Sequence, residues 1–180
     1  MLALTFSFLL SASPCLSPDI DYMALAFQEF DQTMDAGWRE VANRDGCAVA
    51  AADLIQRYRE SKPDLSEGQL NIMRWHEGQM RAEAGQNEQA VALFKQTYTE
   101  FDTMGWNYYV NATIAFIEQD AEALQHAHDQ LVALPKPSEF NPLDADGKPM
   151  QIDWPPNLKV VEQLMSCFGR SYADAYGTCQ

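Results

Sequence analysis

Histidines are the first candidates for acid–base or metal chemistry in this chain, which contains three. His76 directly precedes Glu77, and adjacent side chains on a helix point about 100° apart, so the two cannot serve one metal ion or one substrate atom. His126 and His128 diverge in the same way. His126 and Asp129 are three residues apart and could form a hydrogen-bonded pair or a weak metal site, but an exposed helical pair is the simpler interpretation. The spacing predicts no metal site and no catalytic residues.

A second candidate is the acidic turn that starts at Asp144. Asp144, Asp146 and Gly147 open like a calcium-binding loop, but Lys148 and Pro149 follow, and no bidentate Glu stands at the required distance. The chain also contains no glycine-rich phosphate loop, no nucleophile elbow and no His-Glu-x-x-His motif. We therefore expect no cofactor and no enzymatic activity.

The N-terminal residues 1–18 are apolar and uncharged, and they resemble a secretory signal peptide. The apolar run is too short to span a bilayer, which needs roughly 20 residues, so no stable membrane insertion is expected. The positive charges that open most signal peptides are missing, except for the terminal amine. A buried N-terminal helix is the alternative. We favour export to the periplasm or the exterior.

The cysteines bear on that interpretation, because export permits disulfides. Cleavage near Pro18 would remove Cys15 and leave three cysteines, enough for one disulfide and one free thiol. Cys167 and Cys179 are the preferred pair, because Gly169 and Gly177 let the chain turn between them. Pairing of Cys47 with either remains open, since connectivity cannot be derived from sequence. The cysteine spacings match no zinc motif.

Composition limits the partners. The chain has 180 residues, 47% of them hydrophobic, which is enough to bury one sizeable core. Its formal charge is −14 and its pI is about 4.4. A strongly acidic chain is repelled by the phosphate backbone of nucleic acids, so no nucleic-acid partner is expected.

Helical periodicity dominates the chain, and no useful stretch shows the two-residue alternation of a half-buried strand. Ser66 and Gln69 form a capping-box pattern, Asn87 and Asp120 are candidate N-caps, and Pro135 stops the last of these helices. The sequence predicts an all-α domain over residues 19–180. Its predicted helices cover 19–35, 48–58, 66–84, 87–101, 106–117, 121–134 and 157–177, with a short helical piece at 38–43.

Three of these helices share one residue rhythm. The segment 50–58 aligns with 90–98, and 123–131 follows the same alternation of small and large residues. A single hairpin of this kind cannot bury its apolar face alone, so the pattern predicts about three stacked antiparallel helical hairpins with a C-terminal capping helix.

Residues 66–135 resemble the tetratricopeptide repeat family, whose units are helix–turn–helix pairs of about thirty-four residues. The departures are Trp75, which is offset from the expected aromatic position, and Glu77 and Arg81, which stand at positions that are usually apolar. The resemblance implies a scaffold that binds a protein or peptide without catalysis. Matching positions are Gly78, Gly85, Ala90 and Phe94 in the first copy and Ala112, Leu124 and Pro135 in the second, with Asp120 near the turn.

The resemblance also suggests where a partner would bind. It places the first helix of each hairpin on the concave side of the stack, with Trp75, Trp106 and Tyr109 as aromatic candidates and Arg74 and Arg81 beside them. Aromatic and arginine side chains dominate binding energy at many interfaces. The alternative is that the aromatic residues fill the seams between hairpins.

Residues 135–156 are rich in proline and predict a long loop, of a length that is often functional. In an alternative reading, the chain is an enzyme or a ligand-binding module whose site lies at this loop. A third reading is a structural subunit of an envelope assembly. The loop residues that would line such a site are Asp144, Asp146, Asp153 and Trp154.

Overall fold

The computed structural model describes residues 15–143, 147–177 and 179. Most of the predicted signal peptide lies outside the described residues, and so do Asp144 and Asp146 of the acidic turn. The described part is helical and contains no β-strand; Leu143 and Pro149 form an isolated antiparallel bridge. The all-α prediction is confirmed at this level.

Eight α-helices lie in the described residues, with a π-helical turn near the start and a 3₁₀ turn after the fourth α-helix. The π-helical turn is Gln28–Gln32 and the 3₁₀ turn is Lys95–Thr97. The helices are α1 Trp38–Ala42, α2 Ala48–Ser61, α3 Glu67–Glu83, α4 Asn87–Phe94, α5 Trp106–Ile117, α6 Ala121–Val132, α7 Leu158–Ser166 and α8 Tyr172–Gly177.

Local capping explains where α3 and α6 begin. The Gln69 amide donates to Ser66 Oγ at 3.3 Å, and the Ser66 amide donates to Gln69 Oε1 at 2.9 Å, so the predicted capping box is present. Asp120 Oδ1 accepts a hydrogen bond from the Ala123 amide at 2.9 Å, so Asp120 is the N-cap that the sequence predicts. Asn87, in contrast, is the first residue of α4 and not its cap.

The region 19–35 differs from its prediction. Only Gln28–Gln32 is helical there, because contacts with α2 hold the segment in an irregular path. The Phe30 ring stacks on Tyr58 with centroids 3.7 Å apart, and the Tyr58 hydroxyl donates to the Leu25 carbonyl at 2.7 Å. Tertiary contacts of this kind regularly override helix propensity.

Two other helix ends also differ from the prediction. The fourth helix ends at Phe94 and not at 101. The Thr99 amide donates to Asn107 Oδ1, and Asn107 Nδ2 donates to the Thr99 carbonyl. These two bonds hold the segment after α4 in a non-helical conformation. The range 157–177 holds two helices, α7 and α8. Gly169, whose φ is +88°, lies between them and turns the chain.

The helices form two hydrophobic cores that share α3. α2 packs on α3, α3 on α4, and α5 on α6, while α7 covers α5 and α6. Met73 and Met80 of α3 belong to the N-terminal core with α1 and α2. Trp75 and Ala82 of the same helix belong to the C-terminal core with α4 to α8.

One disulfide lies near each end of the described residues, and none of the four cysteines described is free. The Cα atoms of Cys15 and Cys47 lie 5.6 Å apart, and those of Cys167 and Cys179 lie 5.9 Å apart. The predicted Cys167–Cys179 pair is present, and Cys15 pairs with Cys47; the expectation of one disulfide and one free thiol applies to a chain cleaved near Pro18. Two disulfides are typical of a chain that folds in an oxidising compartment. Among the described helices, none has the length and apolar character needed to cross a membrane.

Candidate functional site

The aromatic residues predicted to contact a partner lie in the seam between α3, α4 and α5. Trp75 is 3% exposed, and its ring lies within 5 Å of the ring centroids of Phe94, Trp106 and Tyr109, at 4.5, 4.8 and 4.9 Å. Trp106 is half-buried and donates from Nε1 to the Thr97 carbonyl at 2.8 Å. Burial leaves Trp75 and Tyr109 no surface to offer a partner, so these rings fill the seam.

Arg81 is also interior, where it joins α2 to α3. It contacts Asp53 at 2.7 Å and Glu77 at 3.7 Å, while Arg59 contacts Glu77 at 2.9 Å. Glu77 and Arg81 are the charged residues at positions that the repeat family usually fills with apolar side chains, and α2 supplies their partners. Breaking a buried ion pair of this kind leaves an uncompensated charge, which is strongly destabilising. Arg81 therefore serves packing between helices and is not free to bind a partner.

Arg74 is the remaining predicted contact residue. It is half-buried on α3, where NH1 donates to Asn71 Oδ1 at 2.8 Å and lies 3.9 Å from Glu67. Both partners belong to the same helix. The predicted surface residues are thus not brought together into one exposed patch.

A buried polar cluster around Asp31 was missed from the sequence. Asp31 is fully buried, and its Oδ1 accepts from Trp38 Nε1 at 2.9 Å and lies 2.8 Å from His76 Nδ1. Gln32 Nε2 donates to Oδ2 at 2.6 Å. Burial alone would raise the pKa of Asp31, but the hydrogen bonds from His76, Trp38 and Gln32 and the charge of His76 outweigh burial and lower it. The Asp31–His76 contact links residues 45 apart in sequence, so no local spacing could have indicated it.

The histidines of α6 form no comparable cluster. His128 Nδ1 lies 3.1 Å from Asp129 Oδ1; the His128 side chain is half-buried and that of Asp129 is exposed. The hydrogen bond from His128 is the main cause that lowers the pKa of Asp129. Within the described residues, no group of three or more His, Cys, Asp or Glu side chains could hold a metal ion.

The loop region borders a hollow of about 450 Å³ beside Trp154. Trp154 is anchored by its Nε1, which donates to the Leu134 carbonyl at 3.0 Å. Asp153 forms an ion pair with Lys159. The hydrogen bond from Lys159, and then its positive charge, lower the pKa of Asp153. Since Asp144 and Asp146 lie outside the described residues, the alternative site at this loop stays a prediction.

A groove with a volume of about 380 Å³ lies between α4 and the end of α5. Val91 and Ile117 are buried and form its apolar floor, and the exposed Ala92 lies beside them. We call this feature the α4–α5 groove. It lies where one predicted hairpin meets the next. Its lining residues are Asn87, Glu88, Val91, Ala92, Lys95, Ile117 and Glu118.

The rim of the α4–α5 groove is charged. Glu118 lies 3.7 Å from Lys95, and the two side chains are 50% and 56% exposed. An exposed pair of this kind contributes little to stability and exchanges readily with another charge. Glu88 is exposed and has no ion-pair partner among the described residues. The rim therefore presents two carboxylates and one lysine ammonium group around an apolar floor.

Comparison with protein-family models, with curated proteins and with solved structures finds no match for this chain. The α4–α5 groove must therefore be judged by its own chemistry. Its lining contains no Ser, Cys or His that could act as a nucleophile or a base. What it can do is accept an apolar side chain and hold a cation at the rim.

Proposed function

We propose that this chain is a non-catalytic helical-repeat protein that binds a short basic segment of another protein. The observation that carries the proposal is the α4–α5 groove, with its apolar floor and a rim on which two carboxylates outnumber one lysine. An apolar side chain of the segment fills the groove, and a flanking Lys or Arg approaches Glu88 and Glu118. Docking of an apolar anchor into a hollow between helices is a common mode of peptide recognition.

Charge supports a basic partner over an acidic one. The chain carries a formal net charge of −14, so it repels acidic segments and attracts basic ones at long range. Electrostatic attraction of this kind speeds association and selects among partners more than it adds affinity.

The finer features of the fold belong to the same proposal. We infer that α3 with α4 and α5 with α6 are two tetratricopeptide-like hairpins, that α7 caps the stack, and that the protein acts outside the cytoplasm. Gly85 and Gln119, which follow α3 and α5, both have positive φ and stand thirty-four residues apart, the spacing of that repeat. The two disulfides support an oxidising compartment.

Selection of displayed random peptides on the folded chain tests the proposal. Ala92→Lys fills the α4–α5 groove and adds a positive charge, whereas Ala92→Glu fills it without repelling a cation. Ala123→Lys is the matched control, because Ala123 is exposed on α6 and outside the groove.

We expect the wild type to enrich peptides with an apolar residue next to Lys or Arg. Ala92→Lys should weaken the binding of these peptides about tenfold or more, Ala92→Glu less, and Ala123→Lys not at all. Enrichment of acidic peptides, or unchanged binding by Ala92→Lys, would contradict the proposal.

A further inference from the structure

A third pocket, of about 260 Å³, lies between α3 and α8. It is somewhat smaller than the roughly 300 Å³ at which sites for drug-sized ligands begin, so it suits a small chemical group. None of its lining residues belongs to the α4–α5 groove. We call it the tyrosine pocket; it is lined by Gln79, Met80, Glu83, Tyr172, Ala173, Tyr176 and Gly177.

Two tyrosines form the aromatic wall of the pocket. The rings of Tyr172 and Tyr176 stack with centroids 4.6 Å apart. The hydroxyl of Tyr176 lies 2.8 Å from that of Tyr109, which fixes the orientation of the Tyr176 ring. Tyr176 remains 40% exposed, so a ligand can reach it. The face of a tyrosine ring attracts cations, which indicates the charge of a ligand.

Glu83 supplies a negative charge to the same pocket. It has no ion-pair partner among the described residues, although it is surrounded by protein on part of its surface. That partial burial raises the pKa of Glu83. Arg170 lines an adjoining cavity of about 110 Å³ with Glu83 but makes no ion pair with it. The carboxylate is therefore available to an external cation.

The rest of the pocket wall is held within the protein. The hydroxyl of Tyr172 is buried and interacts with Tyr176 and with the Gln79 side chain, and burial is the main cause that raises its pKa well above the usual value. The groups that the wall leaves open to a ligand are the Glu83 carboxylate and the exposed part of Tyr176.

We propose that the tyrosine pocket binds an alkylammonium group, with Glu83 as its counter-ion and Tyr176 as its aromatic contact. An ammonium group has three donors, and the pocket lining contains the Glu83 carboxylate and the Gln79 side-chain amide, both of which carry oxygen acceptors. The same chemistry is presented by a free small amine and by a lysine side chain of a partner protein. This site does not depend on the peptide-binding function proposed above.

Titration of the full chain with n-butylamine at neutral pH, followed by backbone amide NMR, tests the site. We expect saturable shifts at α8 and at the end of α3, and no such shifts with n-butanol, which has a similar shape but no charge. Glu83→Gln should weaken n-butylamine binding about tenfold, and Tyr176→Leu should also weaken it. Glu122→Gln, an exposed acid on α6, is the control and should bind as the wild type does.

Equal shifts with n-butanol, no saturation with n-butylamine, or unchanged binding by a folded Glu83→Gln variant would overturn the proposal. A second arm uses a short acetylated peptide with one lysine and the same peptide with that lysine acetylated. Binding of the first and not of the second would identify a lysine side chain as a ligand. Binding of n-butylamine alone would assign the pocket to a free amine.

Discussion

The Asp31 carboxylate is fully buried, and the chain keeps it ionised by surrounding it with hydrogen-bond donors. The cluster lies between the π-helical turn, α1 and α3, and NH1 of Arg39 donates to the Asp31 backbone carbonyl. The Arg39 guanidinium also lies 4.2 Å from the centroid of the Trp38 ring. One acidic side chain thus ties an irregular N-terminal segment to the helical body.

Replacement of this carboxylate gives the first prediction. Asp31→Asn should lower the free energy of unfolding by about 2 kcal/mol at neutral pH, because it weakens hydrogen bonds to a charged group. The folded-state pKa of Asp31 is lowered, so its contribution is present above its unfolded value of 3.8 and is lost as pH falls through the folded value. Urea unfolding of both proteins should therefore show a gap that narrows below about pH 4.

Asp35→Asn provides the control, because Asp35 is exposed and close in sequence. It should change stability by no more than about 0.5 kcal/mol. A gap for Asp31→Asn that stays constant down to acidic pH would show that the ionised carboxylate does not stabilise the fold.

Some residue-scale features could be predicted from the sequence because they are local. Gly78 is identified as a small-residue position, and a Cβ there would lie 2.6 Å from Cε1 of the buried Phe94. The close approach of α3 and α4 requires that glycine. The Asp31 cluster could not be predicted, since its partners come from segments far apart in the chain.

At the scale of elements, the helices with their own capping signals were the predictable ones. The capping box at Ser66 and the cap at Asp120 fix the starts of α3 and α6 through contacts within four residues. The segment 19–35 has helical periodicity but is held by α2, and periodicity cannot encode that contact. The α4–α5 groove could not be predicted from the sequence either, because its floor residues Val91 and Ile117 have the pattern of ordinary core positions.

The turn after α5 gives an element-scale prediction. Gln119 has φ +58°, in the left-handed region, where Gly85 has φ +74° after α3. A non-glycine residue in that region costs about 1 kcal/mol or somewhat more. Gln119→Gly should therefore raise the free energy of unfolding by up to about 1 kcal/mol, less what is lost with its 2.8 Å hydrogen bond to the Phe116 carbonyl.

The free energies of unfolding are measured by chemical denaturation, and Gln89→Gly is the control. Gln89 is exposed within α4, so this substitution should lower the free energy of unfolding where Gln119→Gly raises it. Glycine inside a helix should cost about 1 kcal/mol relative to a good helix former. If both variants lose stability equally, the left-handed conformation of Gln119 carries no strain that glycine would relieve.

At the scale of the whole molecule, α3 makes one cooperative unit of two cores. Its two faces enter different cores, and the ion pairs of Arg59 and Arg81 with Glu77 and Asp53 bind it to α2. If α3 unfolds, both cores lose one of their apolar faces at once. We therefore expect the described domain to unfold in a single transition, as small domains commonly do.

Removal of the Cys15–Cys47 disulfide tests this coupling. The two cysteines are 32 residues apart, so Cys15→Ser with Cys47→Ser should lower the free energy of unfolding by about 4 kcal/mol in the chain-entropy model. Cys167→Ser with Cys179→Ser opens a 12-residue separation at the other end and should cost about 3 kcal/mol. Calorimetry should show one transition for each variant, shifted to lower temperature. A second transition in the Cys15–Cys47 variant, with the C-terminal core melting at its original temperature, would show that α3 does not couple the cores.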